Sequence, residues 1–405
     1  MKWEIAKLGD ISKNIQTGPF GSQLHQSDYS ECGIPVVMPK DLVGGKISEE
    51  SIARVDKTHV ERLCRHKIEV GDILYSRRGD VGRCAHVTKK EEGWLCGTGC
   101  LRVTIDSEKA DSRFVFFQLQ HPDTVGWVEK HAVGATMLNL NTTILSSVPI
   151  RLPALEIQKR IADILSAYDD LIENNQKQIK LLEEAAQRLY KEWFVDLRFP
   201  GHENTKIVDG VPEGWNWCKL EDAIQFDPKV TLTKERMKQF VPMSALSTSS
   251  MVLDESQFTE TTSNSGSKFQ NGDTLLARIT PCLENGKTAC VSGLKSNEGA
   301  VGSTEYIVMR AKTINAYMVY LLARTDDFRQ SAINSMSGSD GRQRVKSDKL
   351  KMLDYLHPTS ELVEKFENVA KPIFEKICKL SKQMQQAKQA RDLLLPKLMS
   401  GEVEV

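Results

Sequence analysis

Between residues 155 and 197 apolar side chains return at alternating spacings of four and three. Ile161, Leu165, Tyr168, Ile172, Asn175, Ile179, Leu182, Ala186, Leu189 and Trp193 fill the a and d places of a heptad pattern, with Asn175 its polar member. That period predicts a long amphipathic helix whose apolar stripe needs a second helix to cover it. The same register returns 205 residues later as Phe366, Ala370, Ile373, Ile377, Leu380, Met384, Ala387, Arg391, Leu394 and Leu398. Arg391 is the exception in this second stripe, and Pro372 and Pro396 are expected to kink or delimit its helix.

The charges of the two stripes lean opposite ways. Residues 155–197 hold six basic and nine acidic side chains, whereas 360–400 hold eight and five. Helices with matching seams and opposite bias are expected to pair with each other, antiparallel because each follows its own globule. About thirty-five residues at ~1.5 Å per residue give a rod of roughly 50 Å, with a globule at each end. The adjacent carboxylates Asp169/Asp170 and Glu183/Glu184 read as solvated faces of these helices.

Ahead of each helix lie about 150 residues of short strand-like runs broken by Gly, Asn and Ser, with one or two helices among them. This is a mixed α/β (α+β) pattern. The two stretches repeat one plan. "KIEVGDILYSRRGDVGRCAHV" (67–87) returns as "KFQNGDTLLARITPCLENGKTACV" (268–291), and "CGTGCLRV" (96–103) parallels "VGSTEYIV" (301–308). "SRFVFFQLQ" (112–120) parallels "NAYMVYLLA" (315–323), "VGATMLNLN" (133–141) parallels "SGSDGRQRV" (337–345), and "LPALEIQKRIADIL" (152–165) parallels "HPTSELVEKFENVA" (357–370). A duplication therefore organises the chain, with a first globule over 1–153, a long helix over 154–198, a second globule over 199–358 and a C-terminal helix over 359–405.

Composition narrows the chemistry. The 405 residues are 40% hydrophobic, enough for more than one core, and no run approaches the roughly 18 apolar residues of a membrane span. The start "MKWEIAKLGD" has no apolar signal core, so a cytoplasmic protein is expected. Fifty-four basic and 54 acidic residues balance, which argues against a free-standing, non-specific nucleic-acid binder. Nine cysteines, an odd number without a CxxC pair, read as reduced thiols, and no metal site is expected. No GxGxxG, GxSxG or HExxH motif occurs, and "ENGKT" (284–288) has Pro281 where a phosphate loop needs its first glycine. An Asn-Pro-Pro-aromatic tetrad for base methylation is also missing. The chain reads as non-catalytic.

The residues "TGPFGSQL" (17–24), "GIPVVMPKDL" (33–42) and "GDILYSRRGDVG" (71–82) carry a family resemblance. So do "LNLNTTILSSVPIRLPALEIQKRIADIL" (138–165) and the terminal "LLLPKLMSGEV" (393–403). Together they make the chain resemble the specificity (S) subunit of Type I restriction–modification enzymes. The resemblance implies two target-recognition domains, each reading one half of a split site in double-stranded DNA. It implies helices that set the spacer and bind two methyltransferase (modification) subunits, with a motor-nuclease (restriction) subunit joining for cleavage. It places S-adenosylmethionine, ATP and Mg on those partners and none on this chain. The alternative from another class is a non-DNA coiled-coil scaffold with two globular adaptor modules.

Base readout needs polar and basic side chains on loops that reach base edges. In the first copy the candidates are Thr17, Ser22, Gln23, Lys40, Arg77, Arg78, Arg83, Thr136 and Asn139. In the second they are Lys229, Lys234, Ser244, Arg278, Lys287, Arg342, Gln343 and Arg344. The turn "TGPFGSQL" is expected to shape a loop approaching DNA, its glycines allowing close contact. The second copy has "FDPKVTLTKERMKQF" (226–240) in its place, so the half-sites should differ.

Overall fold

A computed structural model describes residues 3–134, 138–295, 299–338 and 343–405. The chain divides into two compact units, one of residues 1–171 with 387–405 and the other of residues 172–386.

In the first unit a four-stranded antiparallel sheet runs in the order Ser12–Thr17, Cys100–Ile105, Ile73–Ser76, Cys84–His86. A second sheet holds Leu95–Cys96, Ile34–Val37, Ala53–Val55 and Tyr29–Ser30, with Leu95–Cys96 parallel to Ile34–Val37. The second unit repeats the first sheet and the parallel pair of the second, but there the outer strand Ser267–Phe269 pairs with Ala300–Gly302. Its antiparallel sheet is Ile224–Phe226, Tyr306–Ala311, Thr274–Ala277, Thr288–Cys290. In its other sheet Ala300–Gly302 lies parallel to Lys238–Val241. A mixed α/β architecture in two copies is thus present.

The Gly-Asp pairs show why the sequence repeats. Gly71 and Gly272 sit at φ +92° and +91°, the left-handed region open to glycine. The following carboxylates close each turn, Asp72 accepting from the Glu69 amide at 2.9 Å and Asp273 from the Gln270 amide at 2.8 Å. Both aspartates are buried, so each needs further partners. Asp72 accepts from the Thr104 hydroxyl at 2.6 Å, whereas Asp273 is gripped by Arg310 through Nε and Nη2 at 2.6 and 2.7 Å.

Strand pairing sets the repeat one residue away from the parallel of 96–103 with 301–308. Val103 faces Ile73 and Met309 faces Thr274, each opposite the first strand residue after its Gly-Asp turn. Cys100 therefore corresponds to Tyr306, and Gly99 to Glu305. A one-residue slip exchanges the faces of a strand, so the correction decides which side chains are equivalent.

The helices form as the heptad period predicts. The central helix spans Leu155–Tyr190, with a π-helical turn at Lys191–Val195, and the C-terminal helix spans Ser360–Ser400. Pro372 and Pro396 do not end the latter; it runs through both. Each proline removes one backbone donor, but Ile373, Phe374 and Ile377 beside the first pack into the second unit's core, and Leu398 and Met399 beside the second are buried in the first unit's. Every predicted seam position is buried or half-buried. In the second unit Asn175 donates to Gln383 at 3.4 Å while Tyr190 meets Phe366 edge-on at 6.1 Å, so the helices are antiparallel there. In the first unit Arg391 donates to Asp169 at 2.6 Å, and Ile161, Leu165, Leu398 and Met399 share one core.

The carboxylates Asp169 and Glu183 are therefore not solvated faces. Asp169 pairs with Arg391, and Glu183 accepts from the Met251 amide at 2.7 Å and the Ser250 hydroxyl at 3.0 Å. The C-terminal tail completes the first unit: Val403 and Val405 pack on its core, and Gly401 lies against Trp3.

Burial holds the Glu183 carboxyl above its ordinary range, against the hydrogen bonds from Met251 and Ser250 and the field of Arg324. A raised folded value means the folded state holds its proton to higher pH than the unfolded chain, so stability falls as pH rises through that window. Glu183→Gln keeps an acceptor and removes the charge. Its melting temperature should exceed that of the unaltered protein at pH 7–8 and converge with it as pH falls toward ~4, followed by circular dichroism.

Candidate nucleic-acid interface

At the ends of the strands each unit carries a rim built to one ladder. In the first, the Arg77 amide donates to the Gly99 carbonyl at 2.9 Å, and the Leu140 amide donates back to Arg77 at 2.8 Å. The Gly79 amide donates to Leu138 at 3.0 Å, and Asn139 bridges both Arg78 and Val133. In the second, Arg278 donates to Glu305 at 3.0 Å, Val345 donates to Arg278 at 2.9 Å, and Thr280 donates to Gln343 at 3.1 Å. Arg344 bridges Ile279 and Ser337, as Asn139 bridges Arg78 and Val133. The structural partner of Asn139 is thus Arg344, not Gln343 as the aligned loops suggested.

The side chains on this shared backbone differ. The Arg77 guanidinium lies 6.0 Å from the ring centre of Phe20, which is 53% exposed. Arg78 is exposed, and Arg83 pairs with Asp80 at 2.7 Å. In the second rim Arg344 clasps Glu305, its Nε 2.9 Å from both carboxylate oxygens and its Nη2 2.8 Å from one. The hydrogen bonds from Arg344, and behind them its charge, hold the Glu305 carboxyl below its ordinary range. Lys287, equivalent to Arg83, donates to the Met243 carbonyl at 3.0 Å, which brings the turn bearing exposed Ser244 to the same rim. Beside it a cleft is lined by Met243, Ser263, Ser265, Ser303 and Thr304.

Other predicted positions have structural duties or lie apart. Thr17 ends a strand opposite Leu101. Gln23 closes its turn, accepting from the Phe20 amide at 3.1 Å, and Ser22 is exposed in that turn. Lys40 is bound to Ser51 at 2.7 Å through the carbonyl. Lys229 and Lys234 are exposed in the segment before the strand Lys238–Val241, and Gln343 is half-buried. Thr136 and Arg342 fall outside the described residues.

The opening turn also differs from expectation. A Cβ on Gly18 would stand 1.9 Å from the Gly97 carbonyl oxygen, so its missing side chain serves the seating of the turn on the 97–100 loop. Gly21 has open space around it. In the second copy the strand ends at Phe226 and Asp227 follows at φ +48°, whereas the first copy's strand runs on to Thr17 and into this loop. Glu305 was missed by sequence reading, because the aligned loops set it against Cys100 and hid that it replaces a glycine.

Among the described residues no group of three His, Cys, Asp or Glu side chains could hold a metal ion. All nine cysteines are unpaired, and burial pushes the Cys84, Cys96 and Cys290 thiols up to about 12. No described helix is long and apolar enough to cross a membrane.

One chain thus carries the same strand-end rim twice, once in each unit. Residues 1–184 match the family described as Type I restriction modification DNA specificity domain. The Type I restriction enzyme MjaIX specificity subunit of Methanocaldococcus jannaschii is 26% identical over 417 residues, covering 100% of this chain and 94% of that one. The HindI specificity subunit of Haemophilus influenzae is 22% identical, with 99% of each chain covered. The fold matches the S subunit of the M. genitalium Type I system with a TM-score of 0.63 at 14% identity, over 98% of this chain and 96% of that one. Residues 1–184 thus carry a Type I DNA specificity domain, and over its whole length the chain is similar to Type I specificity subunits. It is a recognition subunit and not an enzyme, and the adaptor-scaffold alternative is not favoured.

The glycines of the opening turn give a direct check on its packing. Gly18→Ala should lower stability by about 1–3 kcal/mol, because backbone must move to admit the methyl group. Gly21→Ala should stay within about 0.5 kcal/mol of the parent, both read by urea denaturation.

Proposed function

We propose that each rim reads one half of an asymmetric, split duplex site and that the paired helices set the spacer between the halves. The same helices dock two methyltransferase subunits, and a motor-nuclease subunit joins for cleavage. S-adenosylmethionine, ATP and Mg belong to those partners in this reading. The observation that carries it is the duplicated ladder: one backbone frame, with Arg78 and Asn139 on it in one copy and Ile279 and Arg344 in the other. A common frame with different side chains suits two modules docking alike on duplex DNA while reading different bases. Arg344 matches guanine by its donor pattern, with Glu305 orienting it through their shared hydrogen bonds.

Exchanging residues 1–153 for the corresponding region of another specificity subunit should alter one half of the methylated motif and leave the other intact. Arg344→Ala should relax a position in the second half alone, at about 1–3 kcal/mol of discrimination. Long-read sequencing of DNA methylated by the assembled complex reads both outcomes. Changes in both halves from the first-globule exchange would contradict modular reading.

A further inference from the structure

Arg77 and Arg278 are the same residue of the repeat. Each donates its amide to the loop before the strand Cys100–Ile105 or Tyr306–Ala311, through Gly99 or Glu305, and accepts from the loop after the helices, through Leu140 or Val345. Each side chain is half-buried, and each Nε is buried with no hydrogen-bond partner among the described residues. A buried N–H without an acceptor is costly, and native structures rarely keep one without a reason. This chain keeps one in both copies.

The surroundings have diverged. Glu305 stands in the second copy where the first has Gly99, Ile279 where it has Arg78 and Arg344 where it has Asn139. Phe20 lies under Arg77, and in the second copy the strand that leads to this turn ends earlier, at Phe226. Arg278 also lies in the field of Glu305, for which Arg77 has no counterpart at Gly99, so a partner that suits both arginines is one common to both half-sites. Base edges differ between half-sites, whereas the phosphodiester is the same at every step, and a guanidinium's planar donor set matches its oxygens.

We infer that Arg77 and Arg278 are matched phosphate clamps, each holding its reader to the DNA backbone and neither reading a base. The inference rests on the split-site reading above and assigns a division of labour within it. Unchanged positions of the ladder grip, and changed positions discriminate.

The test uses the full chain assembled with its methyltransferase subunits. Arg77→Gln and Arg278→Gln keep the stem and one donor while removing the charge; Arg77→Lys and Arg278→Lys keep the charge without the planar donor set. Affinity for the methylated-motif duplex and for a scrambled duplex is measured by fluorescence anisotropy across a salt series. Each Gln variant should weaken both duplexes alike, by roughly three- to tenfold at moderate salt, and lower the slope of log affinity against log salt by about 0.9. Each Lys variant should restore the salt slope, which counts charge, while recovering only part of the affinity, because it lacks the planar donor set. The methylated motif should be unchanged throughout. Loss of a required guanine from the corresponding half, a slope that Lys does not restore, or a slope unmoved by Gln would overturn the inference. A parent complex that bound neither duplex would instead overturn the DNA reading itself.

Discussion

An amphipathic helix of 36 residues cannot leave its apolar stripe in water, and this chain contains two long helices with stripes in the same register. Covering one stripe with the other is the constraint from which the rest follows. In the second unit Ile179, Ala186 and Tyr190 share a core with Phe366, Ala370 and Ile377, and that core continues into the second globule. In the first, Ile161 and Leu165 share a core with Leu398 and Met399 and with the first globule's helices. Helix pairing and globule folding are one cooperative burial in each unit.

A purely apolar seam would tolerate sliding by a heptad. Polar members remove that freedom, because a buried amide or charge away from its partner loses hydrogen bonds that water no longer supplies. Asn175 opposite Gln383, and Asp169 opposite Arg391, supply one such pair to each unit. If the helices serve as a spacer, a fixed register is what the function requires of them. The C-terminal tail belongs to the same design, since residues 387–405 complete the unit that residues 1–171 begin.

Much of this was legible in the sequence because period and repetition are strong signals. The two stripes, the duplicated Gly-Asp turns and the missing cofactor motifs all pointed the same way. What escaped was set by tertiary contact. Glu183 looked like half of a solvated acidic pair, but its oxygen caps the Ser250–Met251 amide segment, a loop far away in sequence. Glu305 was hidden by a single-residue slip, which only strand pairing resolves. Pro372 and Pro396 read as helix breakers, since local propensity cannot register the apolar packing on either side of them. The rim residues were found as a class, but their individual roles depend on partners such as Phe20 and Ser51 that spacing does not reveal.

The central claim is that paired helices fix the distance between two independent readers. Its most direct test lengthens both helices together, with four residues inserted after Asn175 and four beside Gln383. Four residues are close to one turn, so the apolar faces stay aligned while each helix grows by about 6 Å. At ~3.4 Å per base step the account predicts unchanged half-sites separated by one or two additional unread base pairs, seen in the methylated motif across a genome. An active complex that methylates the original spacer would contradict it.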